Sequence, residues 1–124
     1  MTYLDTHAVV WLYMGETARF GAAARKAMTD EDVRVSPMAC LELEFLHEIG
    51  RLKPTASRVL ESLAADLDLT VCTLSFKIVA EQAQKEKWSR DPFDRLIVAN
   101  ARASNAALVS KDASILRNYS RAVW

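Results

Sequence analysis

The chain has little of what marks a linker, a disulfide-stapled scaffold or a membrane span. Three glycines and three prolines in 124 residues leave no flexible or low-complexity segment, and no internal repeat occurs. Two cysteines, Cys40 in MACLEL and Cys72 in LTVCTL, are too few for a disulfide framework and sit in apolar surroundings, as small buried hydrophobes do. A reducing, cytoplasmic setting is the expectation. Sixteen basic residues balance sixteen acidic ones, so the chain is neither a strongly basic polyanion binder nor an acidic tail. Contact with nucleic acid would need a local patch. The apolar run AVVWLYM is far shorter than a membrane span and no basic leader precedes it, so the chain reads as soluble, untargeted and without a membrane partner.

What is present is a regular alternation. Strand-like runs are TYLD at 2–5, VRVS at 33–36, LTVCT at 69–73, ALVS at 107–110 and a terminal AVW. Between them, apolar residues recur at three- and four-residue steps over 7–14, 17–29, 37–49, 55–67, 76–87, 91–105 and 113–119, which predicts helices. Parallel strands need crossovers, and right-handed helical crossovers fill both faces of a sheet. The expectation is a single domain over 1–124 with an α/β fold: a three-layer α/β/α sandwich around a parallel sheet of four to five strands. A chain of this length can bury roughly two-thirds of its unfolded surface, so it needs no staple.

In an open parallel sheet the chemistry gathers at the carboxyl ends of the strands. Asp5 closes TYLD, and Asp112 stands two residues past the end of ALVS. The two should converge if the first and fourth strands are neighbours. Glu42 lies in SPMACLELEFLHEIGRL, beside a buried stripe expected at Met38, Leu41, Phe45, Leu46 and Ile49, whereas Glu44 and Glu48 read as solvated helix acids. In SRDPFDRLIVANARASN, Asp91 is an N-cap, Pro92 the first helical residue, and Asp94 sits in the first turn. Capping and an inward-facing ligand are equally good accounts of Asp94.

Singly, each acid is more often a cap or a solvated charge than a ligand. Gathered, like charges raise one another's pKa, and a cluster persists most naturally around a hard cation. Oxygen donors without a Cys or His pair favour Mg²⁺ or Mn²⁺ over Zn²⁺. Such an ion can bind a phosphodiester oxygen, lower the pKa of a water and steady a leaving oxygen, so nucleic-acid hydrolysis is the natural use. Thr6 has two readings: a hydroxyl that orients a ligand carboxylate or a water, or a cap on the first helix.

The ordered set YLDTHAVVWL, SPMACLELEFLHEIGRL, DPFDRLIVANA, LVSKDASILRNY and AVW resembles the PIN domain, and within it the VapC-type toxins of toxin-antitoxin pairs, nearly end to end. The resemblance implies a five-stranded parallel sheet, a homodimer, a Mg²⁺- or Mn²⁺-dependent endoribonuclease and a cognate antitoxin that blocks the site. It assigns the metal acids, which are also the catalytic ones, to Asp5, Glu42, Asp94 and Asp112, with Asp91 as a supporting or capping acid. Some relatives carry a further acid just beyond the last motif; here Ala113, Ser114 and Ile115 offer none, which leaves the metal count open.

Around these motifs the expectations are more ordinary. Lys87, Arg90 and Arg95 flank the third motif where a phosphate backbone would run. Arg95 is singled out for RNA contact or an ion pair with a neighbouring acid. Trp88 is either a base-stacking or a partner-facing aromatic. His47 reads as a surface or packing residue, and His7 as packing under the first helix ahead of any contact with the site. Phe20, Ala23, Ala24, Ala27 and Met28, with Leu60, Leu63, Ala64 and Leu67, form stripes of core width that become a dimer or antitoxin groove only where exposed. Two other functions compete. One is a PIN-like interaction module with an idle site. The other is a phospho-acceptor signalling domain, which fits badly because LTVCTL is followed by no acid until Glu81.

Overall fold

The computed structural model describes residues 1–30 and 32–124. Five strands, β1 (Thr2–Leu4), β2 (Val33–Val35), β3 (Thr70–Val71), β4 (Ala107–Val109) and β5 (Ala122–Val123), form one sheet in the order β3-β2-β1-β4-β5. Every pairing is parallel, and the central strand β1 is in register with Val33–Val35 on one side and Ala107–Val109 on the other. β1 and β4 are neighbours, as the placement of Asp5 and Asp112 requires.

Among the described residues the sheet is joined by seven α-helices: α1 (Thr6–Tyr13), α2 (Ala22–Asp30), α3 (Pro37–Glu48), α4 (Ala56–Leu67), α5 (Phe76–Ala83), α6 (Pro92–Ala103) and α7 (Ala113–Asn118). Their starts are written locally. Asp5, Ser36, Thr55, Asp91 and Asp112 each accept a backbone N–H of the helix they open, and Pro37 and Pro92 occupy first-turn positions where no N–H is needed. Successive residues of β1 reach helices on opposite faces. The Thr2 hydroxyl donates to the Ala27 carbonyl of α2, and the Tyr3 hydroxyl meets Ser104 at the end of α6. The result is the expected α/β/α sandwich. Helix α6 buries Ile97, Val98, Ala99, Asn100 and Ala101; each branched side chain there contributes about 1.5–3 kcal/mol of hydrophobic stabilisation.

Several expected details are corrected. The helix predicted over 17–29 is split into a 3-10 turn at Thr17–Arg19 and α2. Phe20 turns extended and stacks on Trp124 (ring centroids 5.1 Å apart), and a Cβ at Gly21 would lie 2.6 Å from the Trp124 carbonyl carbon, so the chain must pass there without a side chain. Helix α5 stops at Ala83 rather than 87. Arg95 donates twice to the Ala83 carbonyl (2.8 and 3.2 Å), satisfying the helix end, and Glu86 turns inward. The stripe expected on α3 is also displaced. Ala39 and Leu43 are buried, whereas Leu41, Phe45 and Ile49 are 56%, 46% and 48% exposed, because α3 packs on α1, α4 and α6 through the face that carries Ala39 and Leu43. On the other stripes, Ala23, Ala64 and Leu67 are exposed while Phe20, Ala24 and Leu63 are buried.

Candidate metal centre

The parallel register delivers acids from four separated segments to one end of the sheet. Asp5 follows β1, Glu42 lies on α3, Asp91 and Asp94 open α6, and Asp112 opens α7. All five line one cavity of about 410 Å³, together with His7, Trp11 and Lys111.

Asp5 is the most enclosed, at 6% exposure. Its Oδ1 accepts the Thr6 N–H and its Oδ2 accepts the Ser110 hydroxyl, both at 2.7 Å. Ser110 in turn accepts the Asp112 N–H (3.1 Å), so one hydroxyl ties two of the acids together. Asp112 caps α7 by accepting the Ile115 N–H at 3.0 Å. The Thr6 hydroxyl donates to Glu42 Oε1, which favours ligand orientation among the two readings of Thr6; the cap on α1 is Asp5 itself. Asp91 is exposed and caps α6 through the Phe93 N–H (2.9 Å). Asp94 is different: half-buried, it has neither a hydrogen-bond donor nor an ion-pair partner among the described residues.

The electrostatics follow. Burial raises the Asp5 and Glu42 carboxyls above the ordinary range, against the lowering effect of the hydroxyls that hold them. Asp94 is pushed up to about 7, first by desolvation and then by the charges of Asp91, Asp5, Asp112 and Glu42. Among the described residues no three acids, histidines or thiols already close round one point. They line a common space in which their charges raise one another's pKa. That arrangement suits a hard cation that keeps several waters and takes only a few protein oxygens directly. The all-oxygen donor set fits a hard divalent cation, which Asp5, Glu42, Asp94 and Asp112 could hold.

Over residues 2–121 the chain matches the family model described as PIN domain. The chain belongs to the PIN-domain family. No curated protein sequence matches it significantly. This PIN domain is similar in structure to VapBC2 from Rickettsia felis bound to a DNA fragment from their promoter (19% identity, TM-score 0.67, covering 100% of this chain and 98% of that one). It is similar also to a toxin-antitoxin complex from Klebsiella pneumoniae (13%, 0.63, 100% and 97%) and to VapBC-1 from nontypeable Haemophilus influenzae (15%, 0.62, 100% and 96%). At those identities the likeness is one of fold.

Not every expected contact falls at the PIN cavity. Arg95 is committed to the Ala83 carbonyl and, with Arg90, lines a separate cavity of about 360 Å³. It therefore neither pairs with a neighbouring acid nor reaches the acidic cavity. Arg90 holds the Lys87 carbonyl (3.1 Å) and Lys87 is exposed. Trp88 is a packing residue, half-buried against the core with its indole N–H donated to Glu86 (2.6 Å). His47 bonds the Leu52 carbonyl through Nδ1 (3.1 Å), as a packing residue does. His7, expected under the helix, stands exposed on the cavity rim with its ring 6.0 Å from that of Trp11. Sequence reasoning missed Ser110, whose only signal was its place at a strand end, and Lys111, which adjoins Asp112 and reaches over the Trp124 ring (5.8 Å). No helix among the described residues is long and apolar enough to cross a membrane.

Proposed function

We propose that this PIN domain is a Mg²⁺- or Mn²⁺-dependent endoribonuclease, the toxin of a toxin-antitoxin pair acting in the cytoplasm. The observation that carries the reading is the cavity lined by five carboxylates, among which Asp94 has no partner, in a family whose members are generally nucleases that use divalent ions. When bound there, the ion supplies Lewis-acid polarisation of a phosphodiester oxygen and of the attacking water. The chain's own residues prepare the site. Ser110 and the Thr6 N–H fix Asp5, the Thr6 hydroxyl aims Glu42, and Asp94 stays free of other partners. Lys111 and His7 on the rim offer positive or hydrogen-bonding contact to a phosphate chain entering an otherwise acidic cavity. The test is cleavage of a panel of single-stranded and structured RNAs in Mg²⁺, Mn²⁺ and EDTA, alongside Asp94→Asn. Cutting that needs metal and is lost in the variant supports the assignment; equal cutting by both proteins overturns it.

The structural neighbours named as VapBC or toxin-antitoxin complexes support an antitoxin partner for this chain. The exposed Leu41 and Phe45 on α3, Ile49 at its C-terminal cap and Phe76, which lines a cavity with Leu41, support pairing with a second copy across that face. Phe45→Glu is expected to convert a dimer to a monomer in light scattering, and an unchanged mass would count against this face. The idle interaction module remains a second reading because no three acids are pre-closed around a point. Isothermal titration with Mn²⁺ separates the two: an idle module gives no heat that Asp94→Asn abolishes.

A further inference from the structure

At the far end of α6 from the acidic cavity lies a second cavity of opposite character. It measures about 400 Å³, and its walls include Tyr3, Arg34, Cys72, Thr73, Ser75 and Ser104, with no carboxylate among its lining residues. Ser104 caps the C-terminal end of α6, whereas Asp91 and Asp94 open that helix. Twelve helical residues span about 18 Å, which separates the two sites.

Arg34 is the anomaly that makes this cavity informative. Among the described residues it is the only charged side chain in any of the five strands, and it lies mid-strand on β2, in register with Tyr3 and Thr70. Strands of a parallel sheet covered on both faces are normally apolar there. Its Nε is fully buried and has no hydrogen-bond acceptor, and no described acid lies within ion-pair distance. A buried guanidinium donor without a partner is costly, and such groups persist where something supplies the acceptor. The surrounding groups are donors too. Ser75 is the N-cap of α5, yet its hydroxyl makes no capping bond. Tyr3 and Ser104 hydroxyls meet at 2.9 Å, and the Cys72 sulfur receives the Tyr3 hydroxyl (2.8 Å), the Asn100 amide (3.1 Å) and the Leu74 N–H (3.4 Å). This polar floor is already satisfied internally, whereas Arg34 is not.

We propose that this cavity is a binding site for a small oxyanion, a phosphate or carboxylate group whose oxygens pair with the Arg34 guanidinium and are approached by the Ser75 and Ser104 hydroxyls. Such a fork matches both anions bidentately, and the first turn of α5, beginning at Ser75, presents the positive end of its dipole at the cavity wall. The Cys72 thiol is a reporter within the same walls.

Thermal melting and titration calorimetry in EDTA, with inorganic phosphate or acetate against potassium chloride at matched ionic strength, test the site without reference to nuclease activity. A saturable rise in Tm is expected with at least one oxyanion and not with chloride. At ten times the dissociation constant, alkylation of Cys72 by iodoacetamide, followed on its peptide, should slow about tenfold while that of Cys40 is unchanged. Response to phosphate alone assigns a phosphate ligand, and to acetate alone a carboxylate ligand. Arg34→Met should melt higher than the parent without anion, because it removes a buried N–H donor that has no acceptor, and should lose the response. The proposal is overturned if neither oxyanion gives a saturable response or if Arg34→Met retains it.

Discussion

Two carboxylates pack at opposite ends of α6 and meet opposite fates. Glu86 is 2% exposed, more buried than Asp94, yet its pKa is held below the ordinary value. Desolvation pushes it up, but Arg102, the Trp88 indole and Gln82 all donate to it, and the Arg102 charge adds to their effect. Arg102 also lies over the Tyr119 ring (4.7 Å) and donates to the Asn118 carbonyl (3.0 Å), so the pair fastens the end of α5 to α6 and α7. Asp94, only half-buried, is raised to about 7 by desolvation and then by the charges of Asp91, Asp5, Asp112 and Glu42, with no donor facing it. Burial sets the scale of a perturbation, and the partners set its sign. Glu86 is held by donors from three side chains, whereas Asp94 faces four other carboxylates and no donor.

That contrast is broken most severely at Asp94. Asp94→Asn should lower metal-dependent RNA cleavage about a thousandfold while leaving the metal-free melting temperature unchanged or raised; single-turnover assays and calorimetry read the two effects separately. Arg102→Met should do the reverse. Leaving Glu86 buried and unpaired is expected to remove about 3 kcal/mol of stability in urea unfolding, with little change in cleavage per folded molecule. An Arg102→Met protein that lost cleavage per folded molecule without losing stability would sink the division into site and staple.

Thr6→Val keeps the shape of a fully buried side chain and deletes the hydroxyl that aims Glu42. About a tenfold rise in the Mg²⁺ concentration for half-maximal cleavage is expected, because orienting groups of this kind tune metal affinity by roughly that much. An unchanged Mg²⁺ dependence would leave Thr6 a packing residue.

The smallest effect is a slope. The Asp94 carboxyl binds its proton more tightly folded than unfolded, so it favours the folded state at low pH and that contribution is lost as pH rises through about 7. Glu86 has the opposite sign: its contribution is present above the ordinary glutamate value and is lost as pH falls below it. Metal-free protein should therefore gain stability from pH 8 towards pH 5. Asp94→Asn should flatten that gain, and saturating Mg²⁺ should suppress it.

Much of the placement of the candidate site's acids was legible before folding. Asp5 and Asp112 sit at strand ends by simple alternation, and Asp91 with Pro92 announces the start of α6. Arg95 misled because a cation near a helix start suggests phosphate, whereas the carbonyl it serves belongs to α5, twelve residues back in the chain. The α3 stripe misled because amphipathic periodicity finds the most apolar face, and close packing against α1, α4 and α6 selected Ala39 and Leu43 instead. His7 was undervalued since exposure on a rim has no signature in spacing.

By itself, then, the sequence determined the order of strands and helices, their caps and the candidacy of its acids. These depend on contacts a few residues apart, where propensity and hydrogen bonding act directly. The tertiary structure alone decided that β1 lies between β2 and β4, so that acids more than a hundred residues apart share one cavity and Ser110 clasps Asp5. It also decided that Glu86 finds Arg102 while Asp94 and Arg34 find no partner. The physical reason is range: a side chain's charge state is fixed by whatever the fold carries to within a few ångströms of it, and distance along the chain does not measure that.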